Sequence, residues 1–384
     1  MNPSYKHYHR IAWIAVLLAL AVIVFGGFVR LSNAGLSCPD WPTCYGQVTW
    51  PVHDHEVDAA NAAFERPVES HTAWREQVHR HLAATLGVLV LVLALLAARK
   101  RPGGLGSLLG ASALVALSIP AYTGVEGVFA SNHAVSLALV VAGELILLLQ
   151  AIRWSNADGA RHATLLLMVI VFQAMLGMWT VIWLVKPVIV MAHLLGGLLT
   201  MSLLAWLAWK TTPDTVLVQA DAARLRRLLW VGLGLLVVQI ALGGWTSANY
   251  AALACATDFP TCVGRWLPPA DFAEGFVLWR GVGVDYEGGI LDGASRIAIQ
   301  LAHRIGAVAA TLAIGAFALQ LFRTPGMRGW ASALTVLLLA QLALGIANVK
   351  LALPLWTAVA HNAGAVLLLF VLVSLLARLR DTEA

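Results

Sequence analysis

Ten long apolar stretches dominate this chain, near 11–30, 77–98, 104–122, 133–152, 163–185, 189–209, 228–248, 298–322, 330–350 and 356–377. A helix crosses the hydrocarbon core with about 20 apolar residues, and lipid admits only segments that satisfy their own backbone hydrogen bonds. The sequence therefore reads as an all-α integral membrane protein with about ten transmembrane helices. Composition agrees: 60% of the 384 residues are hydrophobic and 12% are charged, which excludes a soluble globular domain. The first stretch is long, uninterrupted and without a small-residue cleavage site, so it is expected to be retained as a helix.

Basic residues set an expected orientation. With a cytoplasmic N-terminus, the inner ends and connectors hold 15 of the 25 Lys and Arg, from Lys6 and Arg10 through Arg224, Arg226 and Arg227 to Arg378 and Arg380. That predicts a multi-pass protein of a bacterial-type inner (cytoplasmic) membrane with both termini cytoplasmic. The net charge of +5 then calls for no nucleic-acid partner. The two long connections, 31–75 and 249–297, fall on the outer side, and each holds one cysteine pair, Cys38 with Cys44 and Cys255 with Cys262. An oxidising compartment favours two disulfides; free or metal-binding thiols are the alternative.

The chain also repeats itself, which decides how the spans group. "GGFVRLSNAGLSCPDWPTCYGQ" (26–47) resembles "GGWTSANYAALACATDFPTCVGR" (243–265), with 11 positions from Gly27 to Cys38 and from Gly244 to Cys255. "EQVHRHLAATLG" aligns with "IQLAHRIGAVAA", matching His79-Arg80 to His303-Arg304. In "QAMLGMWTVIWLVKPVIVMAHLLGG" and "QLALGIANVKLALPLWTAVAHNAGA", Gln to His is 20 positions and Gly to His is 16 in both. His79 to His193 spans 114 positions but His303 to His361 only 58, so the first copy carries an added helical hairpin at 104–160. The expected fold is two pseudo-symmetric four-helix bundles in tandem: residues 1–212 with the insertion, then 213–384. An even-numbered insertion leaves both copies in the same orientation.

The repeat aligns four histidines, His79 and His193 in the first copy, His303 and His361 in the second, each expected within the first few residues of a span entering from the outer face. Paired imidazoles on facing helices suit axial ligation of a haem iron, and ionisable groups inside a membrane are costly and usually functional. His133 opens an inserted span and is a fallback ligand; His53, His55, His71, His81 and His162 read as loop or rim residues. Arg80 and Arg304 follow candidate ligands directly, either to pair with haem propionates or to anchor helix ends at headgroups. Glu76 shares a helix face with His79, where the second copy has Gln300. This asymmetry makes the first site the candidate for proton-coupled chemistry and the second a candidate electron relay, unless Glu76 is a rim charge paired with Arg80 or Arg75.

"GGFVRLSNAGLSCPDWPTCYG", "EQVHR", "QAMLGMWTV", "AHLLGG", "LAHR" and "AHNAG" together resemble haem A synthase, a membrane enzyme that matures the haem of cytochrome oxidase. The resemblance covers nearly the whole chain apart from 104–160 and the middle of the second long loop. It implies haem O as substrate, a ring methyl oxidised to the formyl of haem A, and a haem b held by His303 and His361. It also implies Glu76, His79 and His193 as the catalytic set, and an outer cysteine pair that influences activity. A partnership with the enzyme that makes haem O, an electron donor and a homo-oligomer are left open. The family pattern has eight helices, so the hairpin with Glu144 at its centre is a departure. The competing readings are a di-haem b electron-transfer cytochrome without substrate chemistry and a transporter moving protons on its histidines.

Overall fold

The computed structural model describes residues 1, 3, 5–124, 130–219 and 221–381. Among them the chain forms α1 (Tyr8–Leu31), α2 (Asp54–Ala63), α3 (Ser70–Ala98), α4 (Gly104–Thr123), α5 (His133–Arg153), α6 (Ala160–Ile182) and α7 (Pro187–Thr211). There follow β1 (Leu217–Gln219), α8 (Ala222–Ala248), α9 (Phe272–Gly275), α10 (Gly293–Arg323), α11 (Arg328–Lys350), α12 (Leu355–Arg378) and β2 (Leu379–Asp381). Ten of these helices are long and apolar enough to cross a membrane, and they coincide with the ten apolar stretches. They are apolar all round, as lipid-facing helices must be: Leu17, Val88, Leu312 and Val336 are large and more than half exposed. The protein is a multi-pass, all-α membrane protein. Its two short strands pair in parallel, Leu217 against Leu379.

The chain packs as two compact units, and α1, α3, α6 and α7 each contribute segments to both. One unit comprises Met1–Ala19, Ala83–Met175 and Leu199–Thr215. It contains the inserted hairpin, where α5 meets α4 closely enough that a methyl on Gly143 would stand 2.9 Å from the Ala111 carbonyl oxygen. The Ser136 hydroxyl donates to Ser118 O at 2.8 Å and the Gln150 amide to Ser107 Oγ at 3.1 Å. Small residues and hydroxyls of this kind hold helices together where lipid removes the hydrophobic drive. Oε1 of Glu144 is buried there without a hydrogen-bond partner among the described residues.

The other unit comprises Leu20–Leu82, Leu176–Leu198 and Val216–Ala384. Within it α8, α10, α11 and α12 pack in a ring, α8 on α10, α10 on α11, α11 on α12 and α12 on α8. It also holds both long loops, whose shared sequence becomes shared structure. Cys38–Cys44 and Cys255–Cys262 are both disulfides. Each is followed by the same two-residue turn, with Cys44 bridging Gln47 and Cys262 bridging Arg265. Gly46 and Gly264 both sit at φ +76, a left-handed conformation that glycine adopts without steric cost. An aspartate caps each turn. Asp40 accepts from the Thr43 hydroxyl and the amides of Tyr45 and Gly46; Asp258 accepts from the Thr261 hydroxyl and the Gly264 amide. Those donors hold the Asp258 carboxyl below the usual aspartate range.

Candidate functional site

All four repeat-aligned histidines lie in the second unit, and each imidazole is seated over a glycine of a neighbouring helix. A methyl on Gly26 of α1 would stand 2.7 Å from Cε1 of His79, and one on Gly243 of α8 would stand 3.1 Å from Cε1 of His303. Likewise, a methyl on Gly177 of α6 would stand 3.1 Å from Cε1 of His193 on α7, and one on Gly345 of α11 would stand 3.0 Å from Cε1 of His361 on α12. The four contacts obey the repeat: Gly26 and Gly243 precede the aligned Gly27 and Gly244. A methyl would force the His79 ring to shift at Gly26 and would crowd the other three rings by a few tenths of an ångström, so the glycines let the imidazoles pack close against the neighbouring helices. Each histidine is half-buried. His79 and His193 are close enough to interact electrostatically, as are His303 and His361. The structure thus brings together the two pairs that the repeat predicts.

Their placement along the helices differs from expectation. Helices α3 and α10 begin at Ser70 and Gly293, before the apolar runs at 77 and 298, because their polar first turns extend past the apolar core among the loops. His79 therefore stands about 14 Å from the start of its helix and His303 about 15 Å, against about 9 Å for His193 and His361, at 1.5 Å per residue. Nδ1 of His79 and of His361 are buried with no hydrogen-bond partner among the described residues, while Nδ1 of His303 meets the Gln239 amide at 3.0 Å. No cluster of three or more His, Cys, Asp or Glu suited to a metal ion occurs among the described residues. Paired, glycine-seated imidazoles fit a group that takes one ligand from each side of a plane, as a haem iron does.

Glu76 is 5% exposed and fully engaged. Its Oε1 accepts from Arg80 Nη2 at 2.6 Å, and its Oε2 accepts from the backbone N–H of Cys38 at 2.9 Å. The carboxylate therefore touches the disulfide loop and sits one helical turn from His79 at once. Arg75 is not its partner.

Arg80 and Arg304, read from the sequence as propionate partners or helix-end anchors, both reach loop carbonyls. Arg80 Nη1 donates to Asp40 O at 2.8 Å and Thr43 O at 2.6 Å, and its Nη2 reaches Cys38 O at 3.3 Å as well as Glu76. Arg304 donates to Pro260 O, Thr261 O and Asp258 O at 3.2, 2.8 and 2.9 Å. Donor geometry of this kind suits a guanidinium gathering carbonyls, so each arginine staples its cysteine loop to the ligand helix. Gln300, the counterpart of Glu76, is 4% exposed and its Oε1 has no partner among the described residues.

The remaining histidines lie elsewhere. His133 packs tilted against Tyr122 at 4.8 Å within the hairpin, His162 Nε2 meets Leu203 O at 3.0 Å, and His53 stacks on His55 in the first loop. Two features escaped the sequence reading. The Gly-to-His spacing of 16 was visible in the second ligand helices, but its meaning as a ring seat was not. Lys186, just before α7, is 1% exposed and had no repeat partner to mark it.

Residues 9–129 and 132–373 match the COX15-CtaA family, described as cytochrome oxidase assembly protein. The chain is 36% identical over 365 residues to a protein of Shewanella oneidensis named heme A synthase, covering 94% of this chain and 93% of that one. It is 27% identical over 372 residues to a heme A synthase of Rhizorhabdus wittichii, covering 93% of this chain and 89% of that protein. The family match runs through 104–129 and 132–160, so the hairpin, expected as a departure, lies within the family pattern.

Proposed function

Because the chain belongs to the COX15-CtaA family of cytochrome oxidase assembly proteins, we propose that it is a haem A synthase, a membrane oxidoreductase that converts a ring methyl of haem O to the formyl group of haem A. The observation that carries this is the glycine-seated pair His79 and His193 with the buried Glu76–Arg80 ion pair one turn from His79. Residues 1–212 form the substrate half and 213–384 the half that holds haem b.

In this reading His79 and His193 bind and orient the substrate. Glu76 faces the same side of α3 as His79, and its negative charge stabilises positive charge as the methyl is oxidised. The protons released need an acceptor, and Glu76 with Arg80 supplies one whose position is fixed by Cys38. Exclusion of water follows from the disulfide loop that Arg80 pins over this end of α3. His303 and His361 hold haem b, which supplies single-electron transfer when bound. The two disulfides support placing the long loops on the oxidising side of a bacterial-type inner membrane, with both termini cytoplasmic.

The test is extraction and chromatography of the haems that purify with the protein. Haem O or haem A together with haem b is expected, with haem A lost in Glu76→Ala; haem b alone in the wild type would refute the proposal. The engagement of Glu76 by Arg80 favours a second reading, a di-haem b electron-transfer cytochrome in which that carboxylate is structural. It requires Glu76→Gln to leave the haem composition unchanged.

A further inference from the structure

Arg80 and Arg304 both hold loop carbonyls through their Nη atoms, and the two carboxylates that a haem carries call for cations beside the histidines themselves. Two lie on or next to the helices that carry His79 and His193. Lys186 is 1% exposed, and its Nζ is buried without a hydrogen-bond partner among the described residues. Its ammonium lies 3.5 Å from the ring centroid of Trp279 and 5.6 Å from that of Trp183. Trp183 in turn stacks on Trp179 at 5.4 Å. Aromatic faces recompense a buried ammonium in part, but its donors remain unmet, and an unpaired buried charge is costly. Burial pushes Lys186 below the usual lysine range, the opposite of what a neighbouring anion would do.

Lys186 lies seven residues before His193. Its carbonyl already accepts the first helical bonds of α7, from Ile189 and Val190. Seven residues are two helical turns, so the lysine stands on the His193 side of the helix and about 10 Å nearer the loop end. That separation is comparable to the reach from a haem's centre to its carboxylate edge. The other ligand helix repeats the arrangement. Arg75 precedes His79 by four residues, again on the same face and nearer the loop end. Its guanidinium lies over the rings of Phe28 and Trp74 at 5.2 and 5.8 Å, and its Nε is buried without a hydrogen-bond partner among the described residues. The second copy has Ile299 and Pro354 at the aligned positions, neither able to pair with an anion.

We infer that Lys186 and Arg75 are a carboxylate-binding subsite that takes the propionates of the substrate tetrapyrrole and so sets its orientation between His79 and His193. Trp279 covers the lysine. It comes from the second long loop, which is fastened to the same segment by Tyr286: the Tyr286 amide donates to Leu184 O at 3.3 Å, and its side chain packs between Leu36 and Val185. The loop of one copy thus roofs the carboxylate subsite of the other.

The inference rests on the His79–His193 pair being a haem site, and the test separates the two. Detergent-purified full-length protein is titrated with protohaem and with protohaem dimethyl ester, in which both carboxylates are blocked, while the Soret band of the second site reports an intact fold. Wild type should bind the free acid on the order of tenfold more tightly than the ester, the worth of a hydrogen bond to a charged group. Lys186→Met should lose most of the preference, Lys186→Met with Arg75→Gln should bind both alike, and Lys186→Arg should restore most of it. Lys186→Met discriminating as wild type does, with the second Soret band retained, would overturn the subsite. Loss of neither haem in His193→Ala would overturn the site beneath it.

Discussion

The two ligand pairs share a scaffold and differ in what surrounds it. Around His79 and His193 stand a buried ion pair, Glu76–Arg80, and two cations, Lys186 and Arg75, whose Nζ and Nε are buried without a hydrogen-bond partner among the described residues. Around His303 and His361 the same positions hold Gln300, Pro354 and Ile299, and Arg304 donates to carbonyls where Arg80 also meets a carboxylate. The ring seats and loop staples are common to both, so under the proposed function they answer the need to hold a planar group near the loop end. The charged groups belong to one copy alone, so they answer what is done to that group. Scaffold and chemistry can thus be separated within one molecule, each copy serving as the other's control.

The most severe way to break the comparison is to remove one imidazole from each pair. His193→Ala should abolish haem binding at the first site and leave the haem b spectrum, whereas His361→Ala should do the reverse; optical spectra with haem extraction decide it. Next, Glu76→Gln makes the first site resemble the second. Haem A formation should fall by about 10²–10⁴-fold, the range for loss of a general acid or base, while Gln300→Glu should leave haem A formation near wild type, both read by chromatography of extracted haems. Filling the ring seats should act on both sites. Gly26→Ala and Gly345→Ala each force a methyl against an imidazole at a cost of about 1–3 kcal/mol, measured as faster haem loss to a scavenging apoprotein.

Two smaller effects sharpen the contrast between the loops. Arg80→Gln should destabilise its loop more than Arg304→Gln does, because it also strands a buried carboxylate; protease sensitivity of the two loops measures this. Asp258 titrates below the usual aspartate range, so its contribution to the second loop is complete above the unfolded value of about 3.9. It is lost as pH falls through the lower folded value, and hydrogen exchange at the Gly264 amide should quicken only there.

Much of this was legible in the chain itself. Ten apolar runs gave ten helices, and the loop cysteines gave two disulfides. His79, His193, His303 and His361 were marked by spacing because duplication preserves spacing. What was hidden depended on side-chain direction. Arg80 follows His79 in sequence but turns to Asp40, Thr43 and Cys38, and no periodicity reveals where a guanidinium will find carbonyls. Helices α3 and α10 begin earlier than hydropathy indicated because their first turns are polar. Lys186 was silent because it has no counterpart, and the repeat was the instrument that made the other residues visible.

The glycines next to the ring seats carry a consequence of their own. Gly27 of α1 abuts Asn362, the neighbour of His361, while Gly244 of α8 abuts Leu194, the neighbour of His193, with a methyl there standing 2.9 Å from its Cδ2. Each half thus presses on the residue beside the other half's ligand, reciprocally. Halves descended from one duplicated ancestor are therefore not interchangeable parts: a chimera that grafts a distant relative's second half onto this first half inherits two mismatched surfaces at once, and both must be re-tailored before either histidine pair can settle.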